Sequence, residues 1–134
     1  MNAASQVLIV DDDQMMLDFT ARALLSLGYE SATETDAAIA LRLLEENLQI
    51  RVLVIDLRLK VGSEGAQIAR QALAIRPDIR VLLTSGDPAA LQFAGRDMPQ
   101  DVELLPKPYR RHDLAARMSR FIDPDAATIG AGLK

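Results

Sequence analysis

Three short runs, VLIV at 7–10, VLVI at 52–55 and VLLT at 81–84, are apolar at consecutive positions rather than at alternate ones. Successive side chains of a strand point to opposite faces, so a run of this kind needs cover on both. Central strands of a parallel sheet, with helices packed on each side, meet that condition. Between the runs the apolar spacing lengthens to that of a helix. Met16, Phe19, Ala23, Leu24 and Leu27 form one stripe, closed by Gly28 in the place of a C-cap. Ile39, Ala40, Leu43 and Leu44 form a second, with Asp36 placed to cap it. Ile68, Ala69, Ala72, Leu73 and Ile75 form a third, stopped at Pro77. Leu114, Met118, Phe121 and Ile122 form the last, stopped before Pro124. YESAT at 29–33 and VELL at 102–105 read as weaker strands, and the charge inside each suits a sheet edge. Gly86, Pro88, Gly95 and Pro99 predict a short or irregular helix between the fourth and fifth strands. The result is an α/β domain in which five strands alternate with four or five helices through right-handed crossovers.

Length and charge narrow the function. At 134 residues the chain makes one domain with a proper core. Its net charge of -4 argues against direct nucleic acid binding through bulk electrostatics. With no cysteine, disulfides, thiolate metal sites and a cysteine nucleophile are excluded. MNAASQ has neither a basic nor an apolar leader segment, and no apolar run approaches membrane-spanning length. The expectation is a cytoplasmic protein with no membrane association.

In open α/β sheets ligands bind beyond the carboxyl ends of the strands. The residues at those ends are therefore the candidates for chemistry. The first strand runs into Asp11, Asp12 and Asp13, the third into Asp56, the fourth into Thr84 and Ser85, and the fifth into Lys107 between Pro106 and Pro108. Two carboxylates about 4 Å apart repel by roughly 4 kcal/mol at an effective dielectric near 20. A cation relieves that repulsion, and hard oxygen ligands with room for water suit Mg²⁺. An ammonium and a hydroxyl beside the metal could hold a phosphoryl group.

The acidic pair after VLIV, the single Asp after VLVI, TSG after the fourth strand and PKPY after the fifth together resemble the receiver domain of two-component response regulators. The likeness covers roughly residues 6 to 122, leaving 1–5 and 123–134 as flexible termini. It implies a flavodoxin-like, doubly wound (βα)5 fold with a five-stranded parallel sheet in the order 2-1-3-4-5. It also implies that Asp56 is the phosphoacceptor, receiving its group from a sensor histidine kinase or a histidine phosphotransfer protein. Asp12 would bind Mg²⁺ directly, Asp11 mainly through water, and Arg58 through its backbone carbonyl, with Asp56 completing the set. Thr84 would bond a phosphoryl oxygen, and Lys107 would pair first with Asp56 and then with the phosphoryl group. The Lys107–Pro108 bond would be cis, as proline permits. Asp13 reads as support for the first helix. The protein would catalyse only its own phosphorylation and dephosphorylation, as a monomer or weak dimer, without turning over an external substrate.

The sequence departs from that pattern in two places. Lys60 stands where many receivers have proline, and Gly65 lies one residue further out than the usual loop glycine. Leu104, three residues before the lysine, replaces the ring that usually swings inward, so the face formed by the fourth helix, fifth strand and fifth helix is expected to respond differently. This combination resembles receivers of hybrid kinases and single-domain receivers, and no output domain is expected in the chain. A Mg²⁺-dependent phosphatase with an aspartyl nucleophile needs a second Asp two residues on, where Arg58 stands. A phosphorylation-independent binding module is the other alternative. His112, the single histidine, reads as an exposed residue at a helix start.

Overall fold

The computed structural model describes residues 5–59, 64–96, 98–99 and 102–122. Elements alternate strictly: β1 Val7–Val10, α1 Gln14–Ser26, β2 Ser31–Glu34, α2 Ala37–Glu46, β3 Val52–Asp56, α3 Gly65–Ile75, β4 Arg80–Ser85, α4 Pro88–Gly95, β5 Val102–Pro106 and α5 Arg111–Phe121. All four strand pairings are parallel, and the order is β2-β1-β3-β4-β5. The three runs that are apolar at every position occupy the centre, and the two charged ones lie at the edges. Residues 123–134 and Lys60 lie outside the described residues. Of the N-terminal stretch, Ser5 is described and is buried.

Two apolar layers flank the sheet. Leu8, Val10, Leu53, Ile55, Val81 and Leu83 face α2, α3 and Leu91 of α4. Val7, Ile9, Val52, Val54 and Leu82 face α1 and α5, through Leu17, Leu24, Leu114, Met118 and Phe121. Side chains such as Leu8, Leu53, Leu82 and Leu114 are fully buried, and each contributes about 1.5–3 kcal/mol relative to exposure.

Local chemistry explains the boundaries. Asp13 caps α1 by accepting from the Met15 amide at 2.9 Å, the supporting role expected of it. Asp36 caps α2 through the amides of Ala38 and Ile39. Gly28, with φ of +94°, closes α1: its amide donates to Leu25 O and that of Tyr29 to Leu24 O, the double bond of a Schellman turn. That turn also shifts the second strand. The Tyr29 amide is committed to the helix end, so pairing starts at Ser31 instead of residue 29. The α1 stripe is rotated from the expected one as well. Leu17, Thr20, Ala23 and Leu24 are buried, whereas Phe19 is 44% exposed. Ile39 and Ile75 likewise stand at the margins of their stripes, and the small residues Ala66, Ala69 and Ala72 form the buried face of α3. The helix between β4 and β5 is short, capped by Asp87 with Pro88 in its first turn.

Candidate functional site

Parallel pairing brings the four strand ends to one edge. Val10 and Ile55 are register partners, so the residues that follow them, Asp11 and Asp56, leave the sheet side by side. Asp56 is itself the register partner of Thr84. Asp11, Asp12 and Asp56 each offer a carboxylate oxygen, and these oxygens lie within 4.8 Å of one another. Asp11 and Asp56 are buried and Asp12 is half-buried. Lys107 follows β5 and is steadied by its amide, which donates to Ser85 O at 2.8 Å. Its ammonium reaches into the cluster, 2.9 Å from Asp11 and 3.3 Å from Asp56. The resemblance had it pairing with Asp56 first; here it bridges both carboxylates and lies nearer to Asp11. The Lys107–Pro108 bond is cis, as expected.

One ammonium shared by two acids cannot neutralise both. Burial works against the Lys107 charge, but the Asp11 hydrogen bond and the Asp56 carboxylate outweigh it and raise its pKa above the ordinary lysine value. At Asp56 the balance is reversed. Burial, joined by the nearby Asp11 charge, outweighs the pull of Lys107 and raises the carboxyl above the ordinary value of 3.8.

A carboxyl whose pKa is higher in the folded state than in the unfolded chain binds protons more tightly when folded. Above its folded-state pKa it therefore detracts from stability, and the loss is recovered as the pH falls towards 3.8. Asp56→Asn is expected to raise the melting temperature of metal-free protein at pH 7 by about 3 °C, roughly 1 kcal/mol for a domain of this size. Lys107 keeps its closer partner Asp11 in that variant. The gain should shrink as the pH is lowered from 7 towards 3.8. Thermal unfolding across that range checks both statements, and a loss of stability in the variant would mark Asp56 as structural.

Other residues stand around the pocket. Thr84 is 1% exposed, and its carbonyl accepts from the Leu57 amide at 2.7 Å, which ties β4 to the turn after Asp56. Ser85, also buried, accepts from the Asp87 amide. The Arg58 side chain is 75% exposed and meets Asp87, the cap of α4, at 3.4 Å. Leu104 packs over the end of α4, so closely that a Cβ on Gly95 would come within 2.7 Å of its methyl group. His112 is exposed, in line with the sequence reading.

Two contacts escaped the sequence reading. Thr20, buried in α1, shares a 2.6 Å hydrogen bond with the hydroxyl of Tyr109, just after the lysine. A hydroxyl in the middle of an apolar helix face was its only signal. The other is Asp87, cap of α4 and ion-pair partner of Arg58. The DP dipeptide signalled the cap, since proline is favoured in the first turn of a helix, but nothing signalled the ion pair.

Residues 7–119 match the family described as the response regulator receiver domain. The response regulator receiver protein CpdR of Brucella abortus is 27% identical over 87% of this chain and 96% of its own length. The response regulator MprA of Mycobacterium sp. strain KMS is 32% identical, but the matched region spans only 50% of that relative. Among solved structures, the response regulator receiver protein of Sinorhizobium medicae superposes with a TM-score of 0.78 at 27% identity, over 90% of this chain and 96% of that one. The beryllofluoride-activated DrrB receiver domain gives a TM-score of 0.72 at 25% identity, over 87% and 96%.

Proposed function

The chain belongs to the response regulator receiver family, the signal-receiving domain of two-component systems, and we propose that it accepts a phosphoryl group on Asp56 in a Mg²⁺-dependent reaction. The observation that carries this reading is the placement of Asp56 at the end of β3, with an ammonium 3.3 Å away and two further carboxylates beside it. The donor is a phosphohistidine on a sensor kinase or a phosphotransfer protein. Phosphorylation then changes which partner the domain binds, in the cytoplasm.

A carboxylate oxygen of Asp56 attacks phosphorus. The bond to the donor imidazole breaks, and that nitrogen keeps the electron pair. A carboxylate is a modest nucleophile, so rate comes from positioning and from neutralising charge. Lys107 is close enough to Asp56 to follow the transferred group and hold one of its oxygens. Thr84, the register partner of Asp56, donates to another. Asp12 and Asp11, with the Asp56 carboxylate and the Arg58 backbone carbonyl, would hold Mg²⁺, and the donor set of hard oxygens suits that ion. When bound, Mg²⁺ supplies the positive charge that offsets the clustered carboxylates and the phosphoryl oxygens. Met15 and Phe19, exposed along α1 beside the acidic loop, offer the phosphodonor an apolar foothold.

Thermal unfolding with Mg²⁺ and then with Mg²⁺ and beryllofluoride tests the site. At ten times its dissociation constant, a ligand specific to the folded state adds about 1.4 kcal/mol. Mg²⁺ alone is expected to give a rise of that order, and beryllofluoride a further one that Asp56→Asn abolishes. No rise with either would leave the phosphorylation-independent binding module as the better account.

A further inference from the structure

Lys107 can act only if it is held where both Asp11 and Asp56 are within reach. Its amide is anchored to Ser85, but what fixes the chain on its other side is Tyr109, 5% exposed and packed in the α1–α5 layer with Leu17, Leu24 and Leu114. The Tyr109 hydroxyl lies 2.6 Å from Thr20, whose side chain is completely buried in α1. That helix begins at Gln14, capped by Asp13, directly after the two acids of the pocket. The Asp13 amide in turn donates to Asp11 at 2.9 Å. The Thr20–Tyr109 contact therefore ties the segment that carries the lysine to the helix that carries the acidic loop. The Phe19 ring, tilted at 6.2 Å from that of Tyr109, closes the outer side. Packing alone would seat a phenylalanine equally well, so the hydroxyl pair must be explained separately.

We infer that Thr20 and Tyr109 form a positioning pair that sets the reach of Lys107 to Asp56 and thereby the rate of phosphoryl acceptance. This rests on the function proposed above. Neither residue touches the reacting atoms, and both act through Lys107.

The test compares Tyr109→Phe, Thr20→Val and the double variant, with acetyl phosphate as donor. Each single change leaves one buried hydroxyl without its partner, whereas the double change removes both and leaves no orphan. Stability is therefore expected to recover in the double variant. The rate is not: misplacement of a catalytic group by a fraction of an ångström slows all three by about 10-fold. Thr20→Ser, which keeps the hydroxyl, restores the wild-type rate. In a Lys107→Ala background Tyr109→Phe has no further effect. A rate that recovers together with stability, or an equal loss without Lys107, would overturn the inference. The Lys107 side-chain carbon resonances provide a readout that needs no phosphorylation. They shift in the double variant if the pair sets the lysine, and an unchanged signal contradicts it. Failure of the wild type to accept a phosphoryl group would instead remove the proposed function, and the resonances would still decide the positioning.

Discussion

Gly65→Ala is expected to damage stability and site together. Gly65 begins α3, and its amide donates to Leu57 O at 2.7 Å. A Cβ there would fall well inside contact distance of the Asp56 carbonyl oxygen and 2.8 Å from the Leu57 Cα. These are backbone atoms, so no side chain can rotate out of the way. Either α3 retreats or the end of β3 moves. Forced overpacking of this kind costs about 3 kcal/mol. Because the displaced atoms belong to Asp56, the rate of phosphoryl acceptance should fall further than stability alone accounts for. A shift of about 1 Å in a reacting group can cost on the order of 100-fold. Urea unfolding and the acetyl phosphate rate of the folded variant check the two parts. A stable variant with an unchanged rate would mean the helix start adjusts freely.

Arg76→Met is expected to separate stability from the site. Arg76 is 5% exposed, and its guanidinium donates to the carbonyls of Leu44, Asn47, Leu48 and Ile50 and to Asp78. The Asp78 hydrogen bond raises its pKa still further, so it is charged at any working pH. It joins the α2–β3 and α3–β4 connections, at the end of the sheet opposite the acidic pocket. Two of those carbonyls, Leu44 and Ile50, are bonded in buried surroundings. Losing a charged donor costs about 2 kcal/mol at each, roughly 4 kcal/mol in all. The variant should unfold at markedly lower urea concentration, yet its folded fraction should keep a normal response to Mg²⁺. Loss of that response in the folded protein would show that the two ends of the sheet are coupled.

These two residues also mark where the sequence was legible and where it was not. The strand ends could be read because parallel pairing carries Asp11, Asp56, Thr84 and Lys107 to one edge whatever the loops do. The edge strands could be read because a charge interrupts each apolar run, although Glu103 lies inside β5 while Glu30 precedes β2, whose own charge is Glu34. Arg76 could not, since its main partners are backbone carbonyls at the end of α2 and in the connection after it, which every residue possesses and no side-chain pattern signals. The buried face of α1 was misjudged for a related reason. Phe19 outranks Thr20 on any apolar scale, but the helix turns Thr20 inward, where Tyr109 satisfies its hydroxyl. At Gly65 the glycine was visible, while the close approach of the Asp56 backbone that requires it was not.

Acceptance of a phosphoryl group by Asp56 is tested most directly by intact-mass measurement after incubation with acetyl phosphate and Mg²⁺. The wild type should gain one phosphoryl adduct, absent when EDTA is present and absent from Asp56→Asn. No adduct on the wild type, under conditions that phosphorylate a control receiver, would contradict the account and leave a domain that signals by binding alone.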